Sequence, residues 1–396
     1  MSQPLNIAFI GNQIAFGGGA TSFYLLVKSL KDKPINKFVF ASEIRSLEMK
    51  QNFKKYCEVV EQINISEVKS SQTSKTSNYR YLKAKKKIKE EVGRITLLIE
   101  KYNIDVIHFN NSVFSHLYEE ILKKSDVKIV THVREMILSN KGKVPDLIVD
   151  NIAKFSWKII TISDNEMKPF SNSDHVIPIA NPFDFSKIAH PFLNLRGEWS
   201  VKDDAIIIGM IGRFAKSKGH MLFLEAAKLL IDENKGISIK FVIAGVAKRK
   251  PLWKRILKRL LFRTDFGDIV LSFMRKNDLY KHVILIPYTK SIFNVINTFD
   301  IVVRPSLFGD PWGRDIIESM AFGKPIIATG TSEFYVENKV NGFLIQPSPA
   351  ALAERIKYCI NDPKVLDSMR ELNKIKINKM CSIKEYGDNV FNFYMS

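Results

Sequence analysis

Short apolar runs that end at glycine or polar residues alternate along the chain with longer stretches whose apolar positions recur about every three to four residues. Residues 6–10, 37–41, 105–110, 127–132, 158–163 and 176–179 form one set of runs, and 205–211, 239–244, 283–287, 301–303 and 325–328 a second. Between them, helical spacing relates Phe23, Leu26, Val27 and Leu30, then Ile88, Val92, Ile95 and Ile99, then Ile316, Ile317, Met320 and Ala321. Residues 220–230, 350–360 and 383–394 read the same way, the last through Ile383, Tyr386, Val390, Phe391 and Tyr394. Strands that are apolar throughout, each followed by a helix, predict parallel sheets covered on both faces, an α/β architecture. The polar, serine-rich residues 61–78 read as a loop, and the basic run 83–89 as the start of a helix. That run has two readings, a solvated face or a contact with phosphate or a membrane surface.

Length and charge sharpen this picture. A chain of 396 residues exceeds one hydrophobic core and predicts two domains, 1–185 and 186–396, joined through the polar stretch that follows Asn181-Pro182. Cys57, Cys359 and Cys381 are scattered, with no spacing suited to a disulfide framework or a zinc site. The first residues run straight into a strand without the basic and apolar regions of a signal peptide, and no apolar run approaches the roughly 20 residues of a membrane span. A cytoplasmic protein is expected. The net charge of +19 calls for an anionic partner, and charge alone does not choose among nucleic acid, membrane and phosphorylated substrate.

Candidate chemistry concentrates in residues 299–330. The run 301–303 ends at Arg304-Pro305-Ser306, a polar glycine-containing turn follows, and a helix over 315–322 stops at Gly323 with Pro325 beyond it. Strand, loop, helix and strand make a βαβ unit, and ligands of open α/β sheets bind at the carboxyl ends of the strands. The backbone N–H groups of Trp312, Gly313 and Arg314, at the start of the helix, suit a phosphate. Asp310 and Glu318, with seven residues between them, can hold a polyol on either side of it, which outlines a nucleotide-sugar. Capping and dipole compensation are the plainer reading of the same two acids. Upstream, Gly212-Arg213 and Lys218-Gly219 bracket a turn between a strand and a helix, where a guanidinium fork and a lysine point charge suit a diphosphate. Gly17, Gly18 and Gly19, after the first strand, allow close backbone approach to a ligand, but G-x-G-x-x-G is absent.

These residues resemble the retaining GT-B glycosyltransferases of glycosyltransferase family 4 (glycosyl transferases group 1). The likeness rests on Asp310, Glu318, the small-residue helix ending at Gly323-Lys324-Pro325, and the Gly-Arg and Lys-Gly pair around the cationic turn. Asp310 stands where the family usually has glutamate. The resemblance implies two Rossmann-like domains facing a cleft, with the helix over 383–396 crossing back to the first. It implies that Asp310 touches the donor sugar, Glu318 the ribose, Arg213 and Lys218 the diphosphate, and that Tyr288 lies near the base. It places His132 against the donor sugar and Gly17, Gly18 and Gly19 near the donor phosphates and acceptor. It implies a hexosyl transfer with retention, without a cofactor, the leaving diphosphate taking the acceptor proton. No D-x-D metal motif occurs, and no metal is expected.

One segment departs from the plain pattern. Residues 248–263, KRKPLWKRILKRLLFR, carry eight Lys/Arg and no acid. Trp253 and the leucines alternate with Lys254, Arg255, Lys258 and Arg259 as on an amphipathic helix. Such a helix suits an anionic membrane, and it equally suits docking on its own domain with its cations in water. In the first case the protein is peripheral on the inner face of the cell membrane. The acceptor is then a glycan or a polyprenyl-diphosphate-linked sugar of bacterial surface polysaccharide assembly, such as O-antigen or capsule. The rival readings are a nucleotide-sugar epimerase or hydrolase of the same fold and a non-catalytic membrane-binding protein. Nucleic acid is disfavoured, because no nucleic-acid motif or aromatic platform accompanies the cations.

Overall fold

A computed structural model describes residues 3–69, 74–137, 142–233, 238–246 and 265–396. The chain divides into two compact units, Met1–Phe183 with Cys381–Ser396, and Asp184–Met380. The basic segment 248–263, with Trp253, Lys254, Arg255, Lys258 and Arg259, lies outside the described residues.

The first unit is built on seven parallel strands, β1 (Leu5–Ile14), β2 (Ile35–Ile44), β3 (Val59–Gln62), β4 (Val106–Phe109), β5 (Lys128–Val133), β6 (Lys158–Thr161) and β7 (Val176–Pro178). Their order is β3-β2-β1-β4-β5-β6-β7. Strand alternation splits the apolar residues between two faces. Ala8 and Ile10 join Phe40, Ile107 and Ile129 on one face, covered by Val92 and Ile95 of helix Ile88–Tyr102 and by Ile148 and Ile152 of helix Lys143–Phe155. Ile7 and Phe9 join Val39, Val106 and Val130 on the other, covered by Leu26 and Val27 of helix Gly18–Ser29. Tyr386, Val390 and Tyr394 of the C-terminal helix Ile383–Met395 complete that second cover.

Residues 61–78 are not one loop, because β3 extends to Gln62 and a helix begins at Ser74. The edge strand β3 buries only Val60, and the helix Ser74–Lys85 is polar nearly all round, so neither leaves a periodic apolar signal. The basic run 83–89 spans the end of that helix and the start of the next, which opens at Ile88.

The second unit has six parallel strands, β8 (Ile206–Ile211), β9 (Ile239–Val246), β10 (Val283–Pro287), β11 (Ile301–Arg304), β12 (Ile326–Thr329) and β13 (Gly342–Ile345). Their order is β10-β9-β8-β11-β12-β13. The chain moves outward from β8 in one direction through β9 and β10, then returns to pair β11 against the other side of β8. That reversal is the topological switch point of a doubly wound sheet, where a crevice opens at the strands' carboxyl ends. Among the described residues no helix is long and apolar enough to cross a membrane.

Candidate active site

The switch point of the second unit is where the sequence motifs meet. The turn after β8 carries Arg213 and Lys218, and the loop after β11 runs from Pro305 to the helix Arg314–Ala321. The two loops are tied together, since the Leu307 N–H donates to the Ser217 carbonyl at 3.0 Å. Gly219 sits at φ 74°, and a Cβ there would lie 1.7 Å from the Pro305 carbonyl oxygen. Only glycine lets the cationic turn lie this close to the second loop.

Arg304 organises that second loop. It closes β11 with a side chain only 4% exposed, and its Nε donates to the Asp310 carbonyl at 2.7 Å. One terminal nitrogen reaches Asp310 Oδ2 at 2.5 Å and the other reaches both Asp315 oxygens at 2.7 and 2.6 Å. Its guanidinium carbon lies 6.0 Å from the centroid of the buried Trp312 ring. Burial opposes the charge on Arg304, but the carboxylates of Asp315 and Asp310 outweigh it and hold the guanidinium well above its ordinary pKa. The Ser306 hydroxyl donates to the second Asp310 oxygen. The acid assigned by resemblance to the donor sugar therefore already fastens its own loop, with two of its roughly four lone-pair positions in use.

Glu318 is one turn inside the helix, where it accepts from Arg314 Nε at 3.2 Å and a terminal Arg314 nitrogen at 3.0 Å. Burial raises its pKa, and Arg314 only partly offsets this. The helix begins at Gly313, whose φ is 149°, and no side chain caps it. Arg213 is exposed and Lys218 half-buried, and neither has an ion-pair partner among the described residues. The neighbouring Arg304, followed by burial and Arg213, holds Lys218 below the ordinary lysine pKa against the pull of Asp315 and Asp310. Two cations without a direct ion-pair partner among the described residues, beside an uncapped helix start, suit a polyanion. Tyr288 follows β10, two strands away from β8, and is 62% exposed.

Gly17, Gly18 and Gly19 and His132 belong to the first unit. Gly17, at φ 138°, opens helix Gly18–Ser29 after β1. His132 is fully buried near the end of β5, its ring 5.5 Å from that of His108 in β4 and 6.5 Å from that of Tyr386. Arg134 is the hub of this cluster. Its Nε donates to Asn110 at 2.9 Å, one terminal nitrogen donates to Asn181, and the other donates to Tyr386 at 3.2 Å and His132 Nδ1 at 3.2 Å. An arginine can only donate, so Nδ1 accepts and the imidazole proton sits on Nε2, which is buried with no protein acceptor among the described residues. Burial, reinforced by Arg134 and His108, pushes the His132 pKa well down and keeps the ring neutral. Glu135, half-buried beside Arg134, accepts from the Ser112 N–H at 3.2 Å, and desolvation raises its pKa.

The anchoring roles of Arg304, Ser306 and Asp315 are not among the sequence expectations. An arginine closing an otherwise apolar strand, followed by acids at positions 310 and 315, was the available signal. Among the described residues no group of three or more His, Cys, Asp or Glu is placed to hold a metal ion.

Two doubly wound parallel sheets in one chain, the second with a polyanion receptor at its switch point, define the class as a GT-B fold. Residues 192–376, most of the second unit, match the family model described as glycosyl transferases group 1. Among curated relatives, an Escherichia coli UDP-Gal:alpha-D-GlcNAc-diphosphoundecaprenol alpha-1,3-galactosyltransferase is 24% identical over 329 residues, 78% of this chain and 80% of its own length. The Staphylococcus aureus capsular polysaccharide biosynthesis glycosyltransferase CapM is 24% identical over 199 residues, 49% of this chain and 47% of its own. Among solved structures, Anabaena Alr3699/HepE in complex with UDP superposes with a TM-score of 0.75 at 18% identity, covering 99% of this chain and 100% of that one. S. aureus TarM superposes with a TM-score of 0.70 at 13% identity, over 99% of each chain.

Proposed function

We propose that this glycosyltransferase moves a hexosyl group, with retention at the anomeric carbon, from a nucleotide-diphosphate sugar to a glycan or lipid-linked acceptor in bacterial surface polysaccharide synthesis. The observation that carries the reading is the pair of cations, Arg213 and Lys218, left without carboxylate partners at the switch point beside the uncapped start of helix Arg314–Ala321. A diphosphate supplies the missing negative charge. As the bond to the anomeric carbon breaks, that charge grows on the leaving oxygen, and preorganised cations and N–H groups stabilise the transition state more than the ground state.

Glu318 accepts from ribose hydroxyls, which compete with or join Arg314. Asp310 keeps the loop in register through Arg304 and uses its remaining lone pairs toward the donor sugar. His132 offers its Nε2 proton to a sugar oxygen. The leaving diphosphate takes the acceptor proton, so no protein nucleophile, cofactor or metal ion is required. The E. coli relative's named acceptor and the capsule relative support a lipid-linked or polysaccharide acceptor, and the solved neighbour holding UDP supports a nucleotide donor. Peripheral attachment to an anionic membrane rests on the sequence of residues 248–263 alone.

Calorimetric titration with UDP, GDP and dTDP, followed by a nucleotide-sugar screen with mass detection, tests the reading. Binding of one diphosphate and acceptor-dependent product with the donor's anomeric configuration are expected. Product without any acceptor points to hydrolysis, and inversion or an absolute metal requirement overturns the mechanism.

A further inference from the structure

The first unit holds a second polar site that the transfer chemistry does not use. A cavity of about 370 Å³ is lined by Ser42, Asn64, Ser66, Lys87, Glu91 and Arg94. Ser42 lies near the carboxyl end of β2, and Asn64 and Ser66 follow β3. The cavity therefore opens at the ligand-binding end of the sheet, as do the Gly17 turn and His132.

Its floor is Glu91, in the first turn of helix Ile88–Tyr102 and only 2% exposed. One carboxylate oxygen accepts from the Ser66 N–H at 3.1 Å and the Ser66 hydroxyl at 2.6 Å. The other, Oε2, is buried with no donor among the described residues, and so is the Ser42 hydroxyl. A buried carboxylate oxygen without a donor is costly to a fold, and such groups are retained where a ligand donates to them. The charges around it narrow the ligand. A phosphate would meet Glu91, and a cation would meet Lys87, with Arg94 already paired with Glu90 and donating to the Asn64 carbonyl. A neutral polyol suits both, its hydroxyls donating to Glu91 Oε2 and accepting from Lys87 and Ser42.

We infer that this cavity is a glycan subsite, holding one hexose of the acceptor through its hydroxyls. The inference rests on the transferase reading above for the identity of the glycan as acceptor, but binding of a hexose is testable without it. Saturation-transfer NMR of the full chain with methyl glucoside, methyl galactoside and methyl N-acetylglucosaminide identifies a bound hexose, and titration gives its affinity. Glu91→Gln is expected to weaken that hexose by about tenfold or more, the scale of a lost hydrogen bond to a charged group. The exposed rim variant Lys87→Ala, which removes no packing, should weaken it by about threefold or more and covers the case in which Glu91→Gln fails to fold. Nucleotide-diphosphate affinity in both variants should stay within about twofold of the parent.

A parent protein that gives no saturation transfer from any of the three glycosides, or binding that both variants leave unchanged, overturns the subsite. Absence of nucleotide binding by the parent instead counts against the transferase reading, and the response of the glycosides to Glu91→Gln still decides the cavity.

Discussion

Replacing Arg304 by methionine isolates the interaction on which the site loop depends. The guanidinium makes four hydrogen bonds to Asp310 and Asp315 and is 4% exposed, while the side chains of the two acids are 14% and 16% exposed. Methionine keeps most of the volume and removes the charge, leaving two nearby carboxylates out of water without a counterion. Removing one partner of a buried pair typically costs about 3–5 kcal/mol, far more than the zero to 1 kcal/mol of an exposed pair. At about 1.4 kcal/mol per tenfold, local opening of the loop and the following helix becomes roughly a hundredfold to a few thousandfold more frequent.

Native-state hydrogen exchange, followed by mass spectrometry on peptides covering 301–321, measures that opening without requiring the whole chain to unfold in one step. Adding Asp310→Asn and Asp315→Asn to Arg304→Met removes the stranded charges and should recover most of the protection. Exchange over 301–321 within about threefold of the parent would refute the account, and so would a triple variant that recovers no protection.

Lys218→Ala should weaken nucleotide-diphosphate binding by about tenfold to a hundredfold in calorimetry. Because the fold depresses this lysine's pKa, its charge is a burden below that value, and thermal stability at neutral pH should hold or rise. Glu318→Gln removes a carboxylate whose pKa burial has raised, whose stabilisation is complete only below the ordinary glutamate value and is lost as pH rises; its melting temperature at neutral pH should not fall, while transfer falls by about tenfold or more. His116 in the first unit is buried with no side-chain partner for its ring nitrogens among the described residues, and burial, only partly offset by the Val113 backbone, pushes its pKa down to about 4. The unfolded chain binds that proton from about pH 6.5 downward, so up to about 3 kcal/mol is lost as pH falls from 6.5 to 4; His116→Leu should flatten that part of a denaturant-derived stability profile, and an unchanged slope rejects the assignment.

What could be read from the chain beforehand follows the range of the interactions involved. The helix that opens the site was expected at 315–322 and spans Arg314–Ala321, because its apolar spacing and the Gly323-Pro325 stop are local signals, while the start is set by the conformation of Gly313. Arg304 could be seen as an oddity at a strand end, yet its function depends on Asp310 and Asp315 folding back onto it, which a loop of unknown path does not announce. The pairing of His108 Nδ1 with the Tyr394 hydroxyl at 2.6 Å joins residues 286 apart, and no pattern in either neighbourhood encodes it.

Glu91 is the sharper case. It stands among lysines and glutamates, where charge predicts solvent, and it is buried only because Ser66, beyond β3, folds over it. Residues such as Arg304 and Glu91, whose local setting argues for one environment and whose tertiary setting supplies another, are where a fold departs from local consistency, and such departures gather at functional sites. The same argument separates the two acids of the switch-point loop. Glu318 is half-buried with a partner one helical turn away on its own helix, whereas Asp310 is held across the loop by two residues, Arg304 and Ser306. Glu318 is therefore the acid whose loss should leave the loop standing, and Asp310 the one whose loss should disorder it. A comparison of Glu318→Gln with Asp310→Asn by hydrogen exchange over 301–321 tells them apart: protection should fall in the second variant only, and equal protection would return Asp310 to the role of a sugar ligand alone.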